Sequence, residues 1–187
     1  MPTLVEVWVV PLDRGDEEVR RLHGMLSPDE RERAGESLSA RRKRRYVARQ
    51  AAVRSILADR IGSTPGELRF VRSTRGKPAL DGETAGPRFS VSDSADLALV
   101  ALADREVGID VEEIRDRPAA RRAAGLGIDR FFERWTRLEA TGKAVGAGLL
   151  VSRAPGAITC RSLDVGPGFA AAVAVAAAGI EIRLRPY

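Results

Sequence analysis

Apolar and polar positions along this chain follow two rhythms. Residues 5–10, VEVWVV, predict an opening strand, and residues 107–113, VGIDVEE, alternate strictly. In the latter, Val107, Ile109 and Val111 oppose Gly108, Asp110 and Glu112, the period-two pattern of a strand with one buried face. Ser27-Pro28-Asp29-Glu30 marks a helix start, with Ser27 as N-cap and Glu30 placed to close a capping box, and the helix continues through RERAG. A longer helix is predicted from about Ser39 to Ile61, with Tyr46, Val53, Leu57 and Ile61 at near-helical spacing and Gly62 as its stop. Short strands follow at 68–72, 88–92 and 96–103, separated by the loops RGKP and DGETAGP. After VGIDVEE comes a loop and helix region around RDRPAARRAAGLG, then a helix over roughly 128–146 and strands near 157–162, 168–176 and 179–185.

The two halves echo each other. Each opens with a strand, passes through helix and closes on a small-residue apolar strand, LALVALAD and then AAAVAVAA. This order predicts an α+β protein of two similar lobes, residues 1–104 and 105–187, with a cleft between them as the natural place for a ligand. At 187 residues, 44% apolar and 30% charged, the chain is that of a globular protein with an ordinary core. No apolar run approaches the ~20 residues that span a bilayer, and MPTLVEVWVVPLDRG lacks the features of a signal peptide. A single cysteine, Cys160, excludes an internal disulfide framework, and a single histidine, His23, argues against a histidine-based metal site. A cytoplasmic location is the expectation. The net charge of +5 favours anionic partners, and much of it is concentrated in RRKRR, residues 41–45. A solvated helix face accounts for that run equally well.

Candidate chemistry centres on the carboxylates. Residues two apart on a strand lie about 6.5–7 Å apart and point the same way, so Asp110 and Glu112 can converge on one hard cation such as Mg²⁺. An edge strand with a wet outer face is the plainer explanation. On the 128–146 helix, Phe131, Trp135, Leu138 and Val145 mark an apolar stripe, with Glu139 and Lys143 one turn apart on its flank. These two form either an ordinary surface ion pair or a third carboxylate for the strand pair with a lysine beside it. Phe131, Phe132 and Trp135 read as core anchors, Cys160 as a small buried hydrophobe, and His23 as a loop residue without chemistry.

VGIDVE followed by WTRLEATGKAVGAGL, preceded by GKPAL and FSVSDS, resembles the 4′-phosphopantetheinyl transferases, in particular the monomeric, pseudo-twofold class that activates peptide and polyketide synthases. The elements occur in order from Gly76 to Leu149, and SPDERER and PGFAAAVAV are similar to the family's flanks. The resemblance implies transfer of the phosphopantetheine arm of coenzyme A to a serine of an acyl or peptidyl carrier protein, with Mg²⁺, by a monomer; no nucleic-acid or membrane partner is expected. It makes Asp110, Glu112 and Glu139 the metal ligands, with Glu139 also the base for the serine and Lys143 the support of the leaving phosphate. Lys77 and Pro78 match the adenine and 3′-phosphate end, Ser92 a phosphate-contacting serine, and Arg33 with Arg44 or Arg45 the basic phosphate contacts.

Three departures qualify the match. The family's Ser-His pair is Ser92-Asp93 here, and an ionised aspartate accepts hydrogen bonds only and repels a phosphate unless it turns away or arginines compensate. Leu138 replaces a lysine and is expected to point into the apolar stripe. The segment between Glu112 and Trp135 is short for the family, in a region that helps dock the carrier. A degenerate homologue that binds coenzyme A or a carrier without transfer is the alternative, and a nucleic-acid module using RRKRR is disfavoured by the 5% aromatic content.

Overall fold

The computed structural model describes residues 2–36, 39–73, 76–82, 86–115, 127–146 and 156–187. Strand β1 (Thr3–Pro11) opens the chain, followed by helices α1 (Asp16–His23), α2 (Pro28–Gly35) and α3 (Ala40–Ile61). A two-stranded hairpin follows, β2 (Phe70–Arg72) with β3 (Pro78–Leu80), and then β4 (Arg88–Ser94), β5 (Leu97–Ala103) and β6 (Val107–Glu113). Helix α4 (Ile128–Ala144) and strands β7 (Thr159–Leu163), β8 (Phe169–Val175) and β9 (Ile180–Pro186) complete it. The α+β class is as expected. The region around RDRPAARRAAGLG lies for the most part outside the described residues.

The helix signals act as the sequence predicts. Ser27 and Glu30 form a complete capping box with Pro28 in the first turn of α2. Helix α3 has Ser39 as its N-cap and ends where Gly62 turns left-handed, at φ 69°. Helix α1 was not anticipated, and it takes in His23, which therefore ends a helix rather than standing in a loop. With only Val19 and Leu22 as large apolar residues its period is too short to read, although Asp16, Glu17 and Glu18 at its start and Arg20, Arg21 and His23 at its end complement the helix dipole. Likewise, Pro78 begins a short strand where a loop was expected.

Two sheets pack face to face, each covered on its far side by helix. The first has the order β4-β5-β1-β9 and the second β6-β8-β7. Strand β5 reads LALVALA because it is buried on both faces. Ala98, Val100 and Leu102 pack with Val47, Ala51, Ile56 and Leu57 of α3. Leu97, Leu99 and Ala101 meet Val107, Ile109 and Val111 of β6 and Ala171, Val173 and Val175 of β8. Strand β8 alternates likewise, Ala172 and Ala174 facing Ala140 and Ala144 of α4. These alanines and Gly108 let the helix lie very close to the sheet. The last strand, β9, returns to the first sheet and runs parallel to β1. Among the described residues no helix is long and apolar enough to cross a membrane.

Candidate active site

Strand β6 is the edge of the second sheet, so the peptide groups turned away from β8 need partners. They find them in side chains. The N–H groups of Ile109, Val111 and Glu113 donate to the hydroxyls of Ser90, Ser92 and Ser94 at 3.1, 3.4 and 3.0 Å. The carbonyls of Val107 and Ile109 accept from Lys77 Nζ at 2.9 Å and Lys143 Nζ at 3.0 Å. Strand β4 thus meets β6 through a ladder of three serines, with a period of two matching that of β6.

The polar face of β6 is covered at Gly108 and Asp110 and only partly exposed at Glu112. Helix α4 covers it, and Asp110 is only 5% exposed. Its Oδ1 accepts from Ser92 Oγ at 2.8 Å and from Lys143 Nζ at 2.7 Å, whereas its Oδ2 is buried and has no hydrogen-bond partner. A buried carboxylate oxygen without a donor is costly, and a cation or a further donor would satisfy it. Glu112 accepts from Ser94 Oγ at 3.0 Å. Burial raises the Glu139 carboxyl above its ordinary range, as do the negative charges of Asp110 and Glu112, while Lys143 opposes them. The three acidic residues therefore share one field. Among the described residues no three acidic, histidine or cysteine side chains are gathered into a formed metal-ligand set. The Lys143 ammonium serves as the counter-charge on Asp110.

Two hollows flank this centre. One, of about 390 Å³, is lined by Ser73, Lys77, Pro78, Arg88, Phe89 and Glu106, among others. Lys77 Nζ is held there by Glu106 at 2.8 Å. The other, of about 560 Å³, brings together Arg33, Arg42, Arg45, Arg49 and Arg115 beside Glu112. The Nε groups of Arg45 and Arg49 are shielded from solvent and have no acceptor, as suits an anion-binding hollow. Asp93 also lines it, and its carboxylate accepts from Arg49 at 2.6 Å, so an arginine compensates for the residue that replaces histidine.

No protein-family model matches the chain. The 4′-phosphopantetheinyl transferase HetI of Nostoc sp. is 33% identical over 165 residues, covering 78% of this chain and 70% of its own. The chain belongs to the 4′-phosphopantetheinyl transferase family. The Synechocystis sp. protein slr0495 is 28% identical over 163 residues, 77% of this chain and 65% of its own. The human L-aminoadipate-semialdehyde dehydrogenase-phosphopantetheinyl transferase is 24% identical over 152 residues, and the chain spans about half of its length, 49%.

The structure brings the sequence-predicted residues together unevenly. Ser92, Asp110 and Lys143 are joined by hydrogen bonds, and Glu139 lies within the electrostatic reach of Asp110, Glu112 and Lys143, with Lys77 and Pro78 lining one hollow and Arg33 and Arg45 the other. Arg44 instead turns to Asp16 at 3.0 Å, away from the residues lining that hollow. Leu138 does not enter an apolar stripe: it is 44% exposed, while Phe132 is fully buried and Phe131 and Trp135, stacked at 6.3 Å, are half-buried. It lies on the side of α4 away from the alanine contacts with β8, which the spacing of three large apolar residues concealed. Cys160 is only partly buried. Sequence reasoning missed Ser94, Arg42, Arg49 and Arg115. For Ser94 a signal existed, since FSVSDS repeats serine every second residue as VGIDVEE repeats its polar positions.

Proposed function

We propose that the chain transfers the 4′-phosphopantetheine arm of coenzyme A to a serine hydroxyl of an acyl or peptidyl carrier protein, with Mg²⁺ as the metal. The observation that carries this reading is the buried Asp110, held on one oxygen by Ser92 and Lys143 and partnerless on the other, beside a Glu139 whose carboxyl is raised. Asp110, Glu112 and Glu139 are hard oxygen donors of the kind Mg²⁺ takes, and the bare Oδ2 of Asp110 is an atom such an ion would satisfy. These three would hold the ion, which when bound neutralises charge on the diphosphate.

The chain's own groups have separable tasks. The arginine hollow supplies fixed positive charge for phosphates, and the Lys77–Pro78 hollow takes the nucleoside end. Glu139 accepts the proton of the carrier serine. The serine oxygen then bonds to the phosphorus that bears pantetheine, and the bond from that phosphorus to the bridging oxygen breaks, releasing 3′,5′-adenosine bisphosphate. Lys143, fixed by Asp110, Ser92 and the Ile109 carbonyl, donates a proton to the departing phosphate oxygen. We read residues 1–104 and 105–187 as two pseudo-twofold lobes, with the site where β4 of the first meets β6 and α4 of the second.

The second reading is a homologue that binds coenzyme A or a carrier without transfer. Asp93, a carboxylate among the arginines, favours it. Incubation of an apo carrier protein with the chain, coenzyme A and Mg²⁺ separates the two. The transferase reading predicts a carrier mass gain of one phosphopantetheine group. Binding with no mass gain at saturating coenzyme A would leave the second reading.

A further inference from the structure

Each serine of the β4 ladder has a hydroxyl with one proton to give and lone pairs to receive. Ser94 Oγ accepts the Glu113 N–H at 3.0 Å, which fixes the oxygen in place and leaves its proton for Glu112 Oε2, also at 3.0 Å. Ser92 repeats the arrangement on Asp110, accepting from Val111 and donating at 2.8 Å. Ser90 makes the same backbone bond, to Ile109 at 3.1 Å, but the residue at the corresponding place on β6 is Gly108. The ladder therefore has two rungs that carry a carboxylate and one that carries none. Ser94 is 9% exposed, so water competes little for its hydroxyl.

We propose that Ser94 is a positioning residue for Glu112, turning the carboxylate of the second sheet from a strand of the first, so that the seating of the two sheets sets the metal-binding geometry. The inference rests on the transferase reading. A glutamate side chain has three rotatable bonds, and fixing one of its oxygens removes most of its freedom. Outer hydrogen bonds of this kind orient ligating carboxylates, and their loss weakens metal binding about 10–100-fold. Ser90 provides an internal control, because its substitution removes a ladder bond and leaves the carboxylates untouched.

The test uses the full chain and Mn²⁺ as the probe, titrated with and without coenzyme A and followed by electron paramagnetic resonance of the free ion. Ser94→Ala is expected to weaken Mn²⁺ binding about 10-fold, while Ser90→Ala leaves it within about twofold, although both lower the melting temperature. Ser94→Thr, which keeps the hydroxyl, restores the affinity. In a Glu112→Gln background Ser94→Ala has no further effect on Mn²⁺ affinity, because it acts through Glu112. Equal affinity in Ser94→Ala and the unsubstituted chain overturns the positioning role and leaves the transferase reading standing, as does an equal loss in the Glu112→Gln background. An unsubstituted chain that binds no Mn²⁺ under either condition removes the metal site itself, and this inference with it.

Discussion

At Gly108 strand β6 and helix α4 lie in very close approach, and replacing it with alanine should be strongly disruptive. A Cβ built there would lie 2.0 Å from the Ala140 carbonyl oxygen, 2.5 Å from the Ala144 nitrogen and 2.8 Å from Lys143 Cβ. Two of these are helix backbone, so no side-chain rotation relieves the clash. Restoring an ordinary 3.4 Å contact requires the helix to retreat by about 1.4 Å, the difference between 3.4 and 2.0 Å. Overpacking costs about 1–3 kcal/mol, and with backbone on the other side the upper end is expected here, roughly 6–12 °C in melting temperature for a chain of this size. The same retreat carries Glu139 and Lys143 with it. A displacement near 1 Å in catalytic groups costs about 100-fold in rate, so transfer should fall by at least that factor at temperatures where the variant is folded. Thermal denaturation followed by circular dichroism, and carrier modification followed by mass spectrometry, read the two effects separately. Gly35→Ala is the matched control, since nothing lies within 4 Å of its new carbon and its conformation is helical. Gly108→Ala with unchanged melting temperature and rate would refute the close approach of helix and strand on which the site depends.

Other consequences concern charge. Arg54 is 2% exposed and pairs with the buried Glu30 at 2.6 Å, so Arg54→Met strands a carboxylate and should cost about 3–5 kcal/mol in urea denaturation; a loss under 1 kcal/mol would contradict this. Burial pushes the Glu30 carboxyl up, but hydrogen bonds from Arg54 and the Ser27 N–H, with the Arg54 charge, leave it below its ordinary value. Its stabilisation is therefore complete above the ordinary carboxylate range and is lost as pH falls through its lowered pKa. The stability gap between the unsubstituted chain and Glu30→Gln should shrink with acidification, and a gap constant with pH would count against the pairing. Asp93→His frees Arg49 and removes a negative charge from the arginine hollow, so coenzyme A should bind several-fold more tightly by calorimetry; unchanged or weaker binding would show that Asp93 does not face the ligand.

What was legible in the chain was what short-range chemistry writes there. The capping box at Ser27 and Glu30 and the stop at Gly62 mark helix ends through contacts within a few residues, so their positions could be read directly. Asp110 and Glu112 were visible as a pair because strand alternation puts them on one face. The cover over that face was not visible, because it depends on α4 settling onto Gly108 and the β8 alanines, which are brought together only by the tertiary fold. Arg44 and Arg45 are adjacent, and their tertiary surroundings separate them: Arg44 pairs with Asp16 of α1 while Arg45 lines the hollow. Leu138 misled because hydrophobic spacing on a helix names a stripe without saying whether a partner fills it.

The measurement closest to the central claim is the rate of carrier modification by Asp110→Ala across a Mg²⁺ titration, with circular dichroism confirming the fold. A divalent ion held at Asp110 beside Lys143 predicts that transfer falls to background at every Mg²⁺ concentration while the spectrum is unchanged. Normal turnover by folded Asp110→Ala would contradict it.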